Sequence, residues 1–352
     1  MNKLRQIIDA YKQRIKASDA SKFKKFILSI LPSLILIFGI WSIIQILILV
    51  GFIGNYYMGI LMSVMAFIIL ATSLNIATGF LGQLILGHAA FMGIGGYAAG
   101  IFAIYMRDYV ESDLLLYVMS ILVAFTFAAV AGFLIGTPAL RLKGDYLGIL
   151  TLGFGEIIRV AATNLSDLTG GAGGLKNIPQ ISTFNSAYFT VVIIILIIVL
   201  MMNSRFGRAM LSIREDEIAA ESVGINLFKF KILGFVLAAG FGGIGGALFA
   251  FKGFISPNSI SFMQSVNIFV IVVLGGIGSV TGSVISAIVL TILPQALLSF
   301  ETWRMLVYSL LLILMMLFRP QGLLGTKELK LPEFVEITDW FKKRSQRKGE
   351  QA

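Results

Sequence analysis

The chain is 352 residues long, 57% hydrophobic and only 13% charged, with a formal net charge of +10. Soluble domains are about 45–50% apolar and ~25% charged, so a mean hydropathy of +0.91 excludes an ordinary soluble domain and points to an integral membrane protein. With no cysteine and one histidine, disulfides, thiolate metal sites and His-built metal sites are excluded as well, and no cofactor is expected.

In chain order, residues 1–25 come first. Leu4, Ile7, Ile8, Tyr11 and Ile15 recur at helical spacing among Lys3, Arg5, Lys12, Arg14 and Lys16, which predicts a basic amphipathic helix on the inner membrane surface. The segment does not read as a secretory signal, because the apolar stretch from Phe26 to Val50 is followed by no small-residue cleavage site. Apolar runs long enough to span, about 20 residues each, then recur at 26–50, 57–77, 82–105, 114–136, 145–163, 187–203, 229–252, 263–279, 281–299 and 303–318. With the basic N-terminus inside the cell, loops 138–144 and 204–228 and the tail 319–352 also fall inside. The loops 106–113, 164–186 and 253–262 fall outside. That arrangement places 23 of the 28 Lys and Arg residues on the inner side. The positive charge therefore belongs to a membrane-facing surface and not to a nucleic-acid site. Of the rest, Arg159, Lys176, Lys252 and Arg304 fall near outer helix ends, where long side chains snorkel. The expected fold is an all-α polytopic bundle of about ten spans (8–10), with both termini cytoplasmic and the transmembrane domain over 26–318.

Two places weaken the count. Residues 57–105 carry no charged side chain, hold the lone His88, and are punctuated by "TGFLGQ"; residues 263–300 turn around "GGIGSVTG". Either region can hold half-helices, which transport proteins use where backbone lines a cavity. Glycines four apart (Gly96 and Gly100, Gly132 and Gly136, Gly242 and Gly246, Gly278 and Gly282) predict close helix packing. The similar strings "FMGIGG" and "FGGIGG" at 91–96 and 241–246 are read either as a parallel internal repeat or as chance likeness. The outer "LTGGAGGLKNIP" reads as a long, flexible loop with backbone donors.

Catalytic signatures are missing. No G-x-x-x-x-G-K-[ST], H-E-x-x-H or G-x-S-x-G occurs, so an enzyme, and ATP binding by a P-loop in this chain, are disfavoured. Glu156 and Arg159 sit three apart on one helix face and are expected to pair. Gln83 and His88, beside the "TGFLGQ" break, are the candidate pore residues, although a lone buried histidine is more often structural. "GRAMLSIREDEIAAESVGIN" at 207–226 is the polar anomaly, with Arg208, Arg214, Glu215, Asp216, Glu217 and Glu221 in twenty residues. Inserting six charges at ~2.5 kcal/mol each would cost on the order of 15 kcal/mol, so this segment lies outside the bilayer. Ser212 and Glu215 have capping-box spacing that predicts a helix restart, and Gly224 is a natural stop. The residues alone leave two readings, a docking element or a solvated loop helix.

The same residues carry a resemblance. "SIREDEIAAESVGI" at 212–225 is similar to a hallmark segment of branched-chain amino-acid ABC importer permeases. It also approaches the general importer pattern E-A-A-x-x-x-G, matching at Ala219, Ala220 and Gly224 while Ile218 stands in the first slot and Glu217 is displaced by one. "LNIATGFLGQLILGHAAFMGIGGYAAG" (74–100), "TPALRLKGDYLGILTLGFGEIIR" (137–159), "LTGGAGGL" (168–175), "VLGGIGSVTGS" (273–283) and "RPQGLLG" (319–325) resemble family motifs too. The chain looks like the LivM-type subunit. The "GGAGGL" loop departs from the polar residue that many members carry there, which bears on substrate.

The resemblance implies a permease of an ATP-driven importer of Leu, Ile or Val in the inner (cytoplasmic) membrane. It implies a second homologous permease subunit, two cytoplasmic ATP-binding subunits and an extracytoplasmic substrate-binding protein as partners. It also implies a coupling helix at about 207–224 that moves the two spans entering and leaving it, with Arg214, Glu215, Asp216 and Glu217 meeting the ATPase and Ala219, Ala220 and Gly224 packing close. The alternatives are a urea or short-amide permease of the same kind and, from another class, a stand-alone secondary carrier.

Overall fold

The computed structural model describes residues 22–140, 144–298, 303–319 and 321–325. Most of the expected amphipathic segment 1–25 and of the basic tail 319–352 lies outside the described residues. The chain divides into two compact units. One, Met1–Ile53 with Leu329–Ala352, contributes helix α1, Lys22–Leu49. The other, Gly54–Glu328, holds the rest.

The second unit is an all-α membrane bundle. Its long helices are α2 (Asn55–Asn75), α3 (His88–Met106), α4 (Asp113–Ala139), α5 (Asp145–Asn164) and α6 (Phe184–Asn203). Two short helices follow, α7 (Arg205–Glu215) and α8 (Glu217–Ser222). Then come α9 (Leu227–Ala250), α10 (Phe262–Gly275), α11 (Val280–Ala296) and α12 (Arg304–Phe318). Among the described residues, six helices are long and apolar enough to cross a membrane: α2 with its extension to Phe80, α3, α4, α5 from Tyr146, α6 and α9. Helix α10, at fourteen residues, rises about 21 Å, short of the ~30 Å hydrocarbon core.

Glycine sets the packing of the core, where α9 lies against α2, α3 and α4. A side chain on Gly95 would run into the backbone of Gly243, and one on Gly246 into the carbonyl of Met92. The two similar strings at 91–96 and 241–246 are therefore the contact surface between α3 and α9. Gly132 faces Ala239 and Gly136 faces Ile232 and Phe235, so α4 and α9 run antiparallel with backbones close. Two of the four expected glycine pairs, Gly132 with Gly136 and Gly242 with Gly246, pack this way at both members; in a third, Gly96 meets Gly246 but Gly100 meets Leu175 and Ile178 of the loop. In the fourth, Gly282 abuts Gly275, whereas Gly278 is a turn residue with φ +88°.

Both suspected breaks are real. Helix α2 ends in a π-helical turn, Ile76–Phe80. The chain then runs irregularly through 81–87, and α3 begins only at His88, so the expected span 82–105 loses its first turn and a half. A side chain on Gly234 of α9 would strike Leu81, and one on Gly242 would strike His88. Those glycines are eight residues apart, about 12 Å along α9. The non-helical segment therefore climbs inside the bundle and starts α3 well within it. Its polar groups are met by Thr151 Oγ1, which accepts from Leu86 N at 3.1 Å, and Ser265 Oγ, which accepts from Ala89 N at 3.1 Å. The second break is the turn 276–279 between α10 and α11.

At the opposite end, the glycine-rich loop, expected to be long and flexible, is built of short turns and a two-residue strand. Gly170, Gly171 and Gly174 adopt positive φ, Thr169 Oγ1 donates to Ala162 O at 2.6 Å, and the two-residue strands β1 (Leu175–Lys176) and β2 (Phe254–Ile255) pair antiparallel. Its short-range hydrogen bonds and the close approach of Gly174 to Ile255 O hold it against the 254–260 segment.

Candidate functional site

The charged segment folds as an elbow of two helices. Ser204 Oγ caps α7 by accepting from Phe206 N at 3.1 Å. Helix α7 then docks on the bundle through Gly207, Met210 and Ile213, all buried. It does not restart at Ser212, whose hydroxyl donates back to Ala209 O at 2.8 Å within the helix. The break falls at Asp216, where the backbone is extended and Oδ1 accepts from Ile218 N and Ala219 N at 2.8 and 3.1 Å. A carboxylate satisfies two orphan donors of α8 better than a hydroxyl does, and its charge favours the helix N-terminus. Gly224 ends α8 as expected. Its φ is +87°, its N–H donates to Glu221 O at 2.9 Å, and Ile225 N donates to Ala220 O at 3.1 Å, a Schellman closure.

The seven residues expected to serve coupling divide by burial. Glu215, Asp216, Ala219 and Gly224 are exposed, and a side chain on Gly224 would meet open space. Glu217 is half-buried and pairs with Lys231 of α9 at 2.6 Å. Ala220 is buried. Arg214 turns inward. Its side chain is 27% exposed, against 72% for Glu215, which it pairs with at 2.8 Å. Its Nη1 donates to Gly79 O, in the π-turn, at 2.8 Å.

Sequence reasoning missed two aliphatic residues on this elbow. Ile218 is 81% exposed and Val223 76%. Extending the buried stripe of Met210 and Ile213 by helical spacing lands on Glu217 and Ala220, which was the available sign that Ile218 lies off the inner face.

Behind Arg214 the two breaks are clasped by Asn75, the last residue of α2 and fully buried. Its Nδ2 donates to Ser279 O at 2.8 Å and to Ser283 Oγ at 2.9 Å, while its Oδ1 accepts from Gly278 N at 2.9 Å. Glycine is required at the clasp, because a side chain on Gly79 would collide with Asn75 Oδ1 and with Gly278 N. The 319–325 motif arrives at the same place, with Leu323 N donating to Leu274 O at 2.7 Å.

The two candidate pore residues are both enclosed. Gln83 is 6% and His88 1% exposed. His88 Nε2 lies 2.9 Å from Ser73 Oγ, and the ring fills the space left by Gly242. Gln83 Oε1 and His88 Nδ1 meet no hydrogen-bond partner among the described residues. The expected Glu156–Arg159 pair forms at 2.7 Å on α5, with the two side chains 37% and 34% exposed. No group of His, Asp or Glu able to hold a metal ion occurs among the described residues.

The family described as "Branched-chain amino acid transport system / permease component" matches residues 56–318. The chain is 36% identical over 295 residues to the high-affinity branched-chain amino acid transport system permease protein LivM of Escherichia coli K12, covering 74% of this chain and 68% of that protein. It is 35% identical over 325 residues to LivM of Salmonella typhimurium, covering 82% and 72%. The permease protein LivH of the same transport system in E. coli K12 matches more narrowly, 40% identical over 131 residues, 36% of this chain and 42% of LivH. No solved structure matches the chain at a significant level.

Proposed function

Because the chain belongs to the branched-chain amino acid transport permease family, we propose that it is the LivM-type membrane subunit of an ATP-driven importer, carrying Leu, Ile or Val across the cytoplasmic membrane, and that a separate ATPase grips it at the α7–α8 elbow. The observation that carries this reading is the exposure of Ile218 and Val223 at the tip of the elbow. Acidic Glu215, Asp216 and Glu221 surround them and keep this segment in water. Two exposed aliphatic side chains in an acidic frame suit a shallow apolar cleft on a soluble partner, where a few desolvated anchors supply most of the binding energy.

In this reading the elbow faces the cytoplasm and both termini lie on that side, with eight to ten spans in all. The second permease subunit covers α5. An ion pair still about one-third exposed within a span is costly even when neutralised, so Glu156 and Arg159 need protein or pore water beside them. The extracytoplasmic binding protein lands at the opposite end, on the rigid glycine loop. Few fixed charges line the spans, which suits a zwitterionic, apolar cargo that must leave as readily as it enters.

The test is reconstitution of the assembled complex in proteoliposomes with the binding protein inside or outside and labelled leucine as cargo. Uptake that requires ATP and is competed by isoleucine and valine supports the reading. Uptake driven by a proton or sodium gradient alone makes the chain a secondary carrier, and competition by urea makes it an amide permease.

A further inference from the structure

We propose that Arg214 is a positioning residue that fastens the elbow to both helix breaks, so that a movement of the elbow is delivered directly to the π-turn 76–80 and the turn 276–279. This rests on the coupling function proposed for the elbow.

A guanidinium is drawn away from water only when charge-assisted hydrogen bonds replace its hydration. Arg214 meets that condition at a place with no other evident need for it. Its stem crosses Gly82, where an added side chain would come within 2.9 Å of Cγ, and its Nη1 lies 2.9 Å from where a side chain on Gly278 would stand. Gly82 and Gly278 both have positive φ, +71° and +88°, so the guanidinium's slot is made by two turns that only glycine builds without strain. The carbonyl it takes, Gly79 O, belongs to the π-turn. π-turns leave the regular i→i−4 ladder and mark places where a helix can change register. The same π-turn is tied through Asn75 to Gly278, Ser279 and Ser283. Elbow, first break and second break thus form one hydrogen-bonded unit centred on Arg214 and Asn75.

The elbow's covalent connections are short. Helix α6 enters it through Ser204 in extended conformation, and α8 leaves through Gly224 and the linker to Asn226, with the Glu217–Lys231 pair beside it. The clasp is the contact that reaches the two breaks.

The chain has no cysteine, so, with the partner subunits made cysteine-free, a spin label on Ile277→Cys, a half-exposed site in the second break, reports that turn alone. The measurement uses the complete complex with its ATPase subunits in proteoliposomes. With Arg214 present, ATP is expected to change the label's spectrum. Arg214→Met keeps the length of the stem over Gly82 and removes the donors. In that variant the ATPase subunits are expected to copurify as before, the ATP-dependent change at position 277 to disappear, and leucine uptake to fall by about tenfold or more, the range of a typical coupling free energy. Arg214→Lys keeps a cationic donor for Gly79 O and is expected to recover part of both signals. If Arg214→Met yields no folded protein, Arg214→Leu, which also lacks a donor, carries the same readouts. An unchanged label response and uptake in the Met or Leu variant overturns the proposal. Loss of the ATPase subunits from the variant also overturns it, by making Arg214 a docking contact, and leaves the coupling function standing. A parent complex that binds no ATPase defeats the coupling function itself.

Discussion

The contact between α3 and α9 and the clasp beneath the elbow are both built on glycine, for different reasons. In the first, Gly95, Gly243 and Gly246 lie in regular helix, and glycine serves by the volume it omits, letting two backbones touch. In the second, Gly82 and Gly278 have positive φ and serve by conformation, beside Gly79, which makes room for Asn75. The first region contains almost no polar side chain to direct it, so it is held by packing over a large area. The second is held by a few hydrogen bonds from Asn75 and Arg214. Packing over an area resists displacement everywhere; a few directed bonds can be loaded and released. A permease needs both, a rigid frame and a movable joint.

Variants at four places, Gly246, Asn75, Gly224 and the Ile218–Val223 tip, would break or sharpen that contrast, in descending order of their effect on stability. Gly246→Leu forces a side chain into the Met92 carbonyl, where backbone cannot yield, and is expected to destabilise by about 3 kcal/mol. Loss of a monodisperse, folded species in detergent would show it. Asn75→Leu keeps the volume but strands Gly278 N, while Ser283 Oγ and Ser279 O retain each other, a cost of about 2 kcal/mol. Thermal melting should register this, and transport should suffer more than the melting shift implies. Gly224→Ala places a Cβ at φ +87°, which costs about 1 kcal/mol. Gly224→Asn, which tolerates that region, should be milder in the same melts. Gly224→Trp adds bulk at the docking face, and ATP-driven uptake should vanish while membrane insertion stays normal. Ile218→Asp with Val223→Asp should leave stability within ~0.5 kcal/mol and reduce ATPase retention on copurification by at least about tenfold, as expected when anchor residues are removed. If Gly246→Leu melts normally, or if the Asp pair unfolds the protein, the division between frame and joint fails.

Apolar runs located every long helix, because a membrane leaves no other use for twenty greasy residues in a row. "TGFLGQ" and "GGIGSVTG" could be seen as breaks for the same reason: no uncharged span interrupted that often continues as helix. The charge run at 207–226 declared itself non-spanning by cost alone. The break at Asp216 was misplaced to Ser212 because both residues cap, and only the competition between them in three dimensions chose the carboxylate. The loop at 168–175 read as flexible because glycine permits many conformations, and its contact with the 254–260 segment selected one.

From sequence alone came the membrane class, the helical fold and the charged non-spanning segment, which follow from local hydropathy and charge, and the family motifs, which follow from resemblance. Tertiary structure alone decided that Arg214 points inward, that Asn75 joins segments more than two hundred residues apart, and that Ile218 and Val223 stand in the open. The direction of a side chain depends on what long-range packing leaves beside it, and no local pattern encodes that.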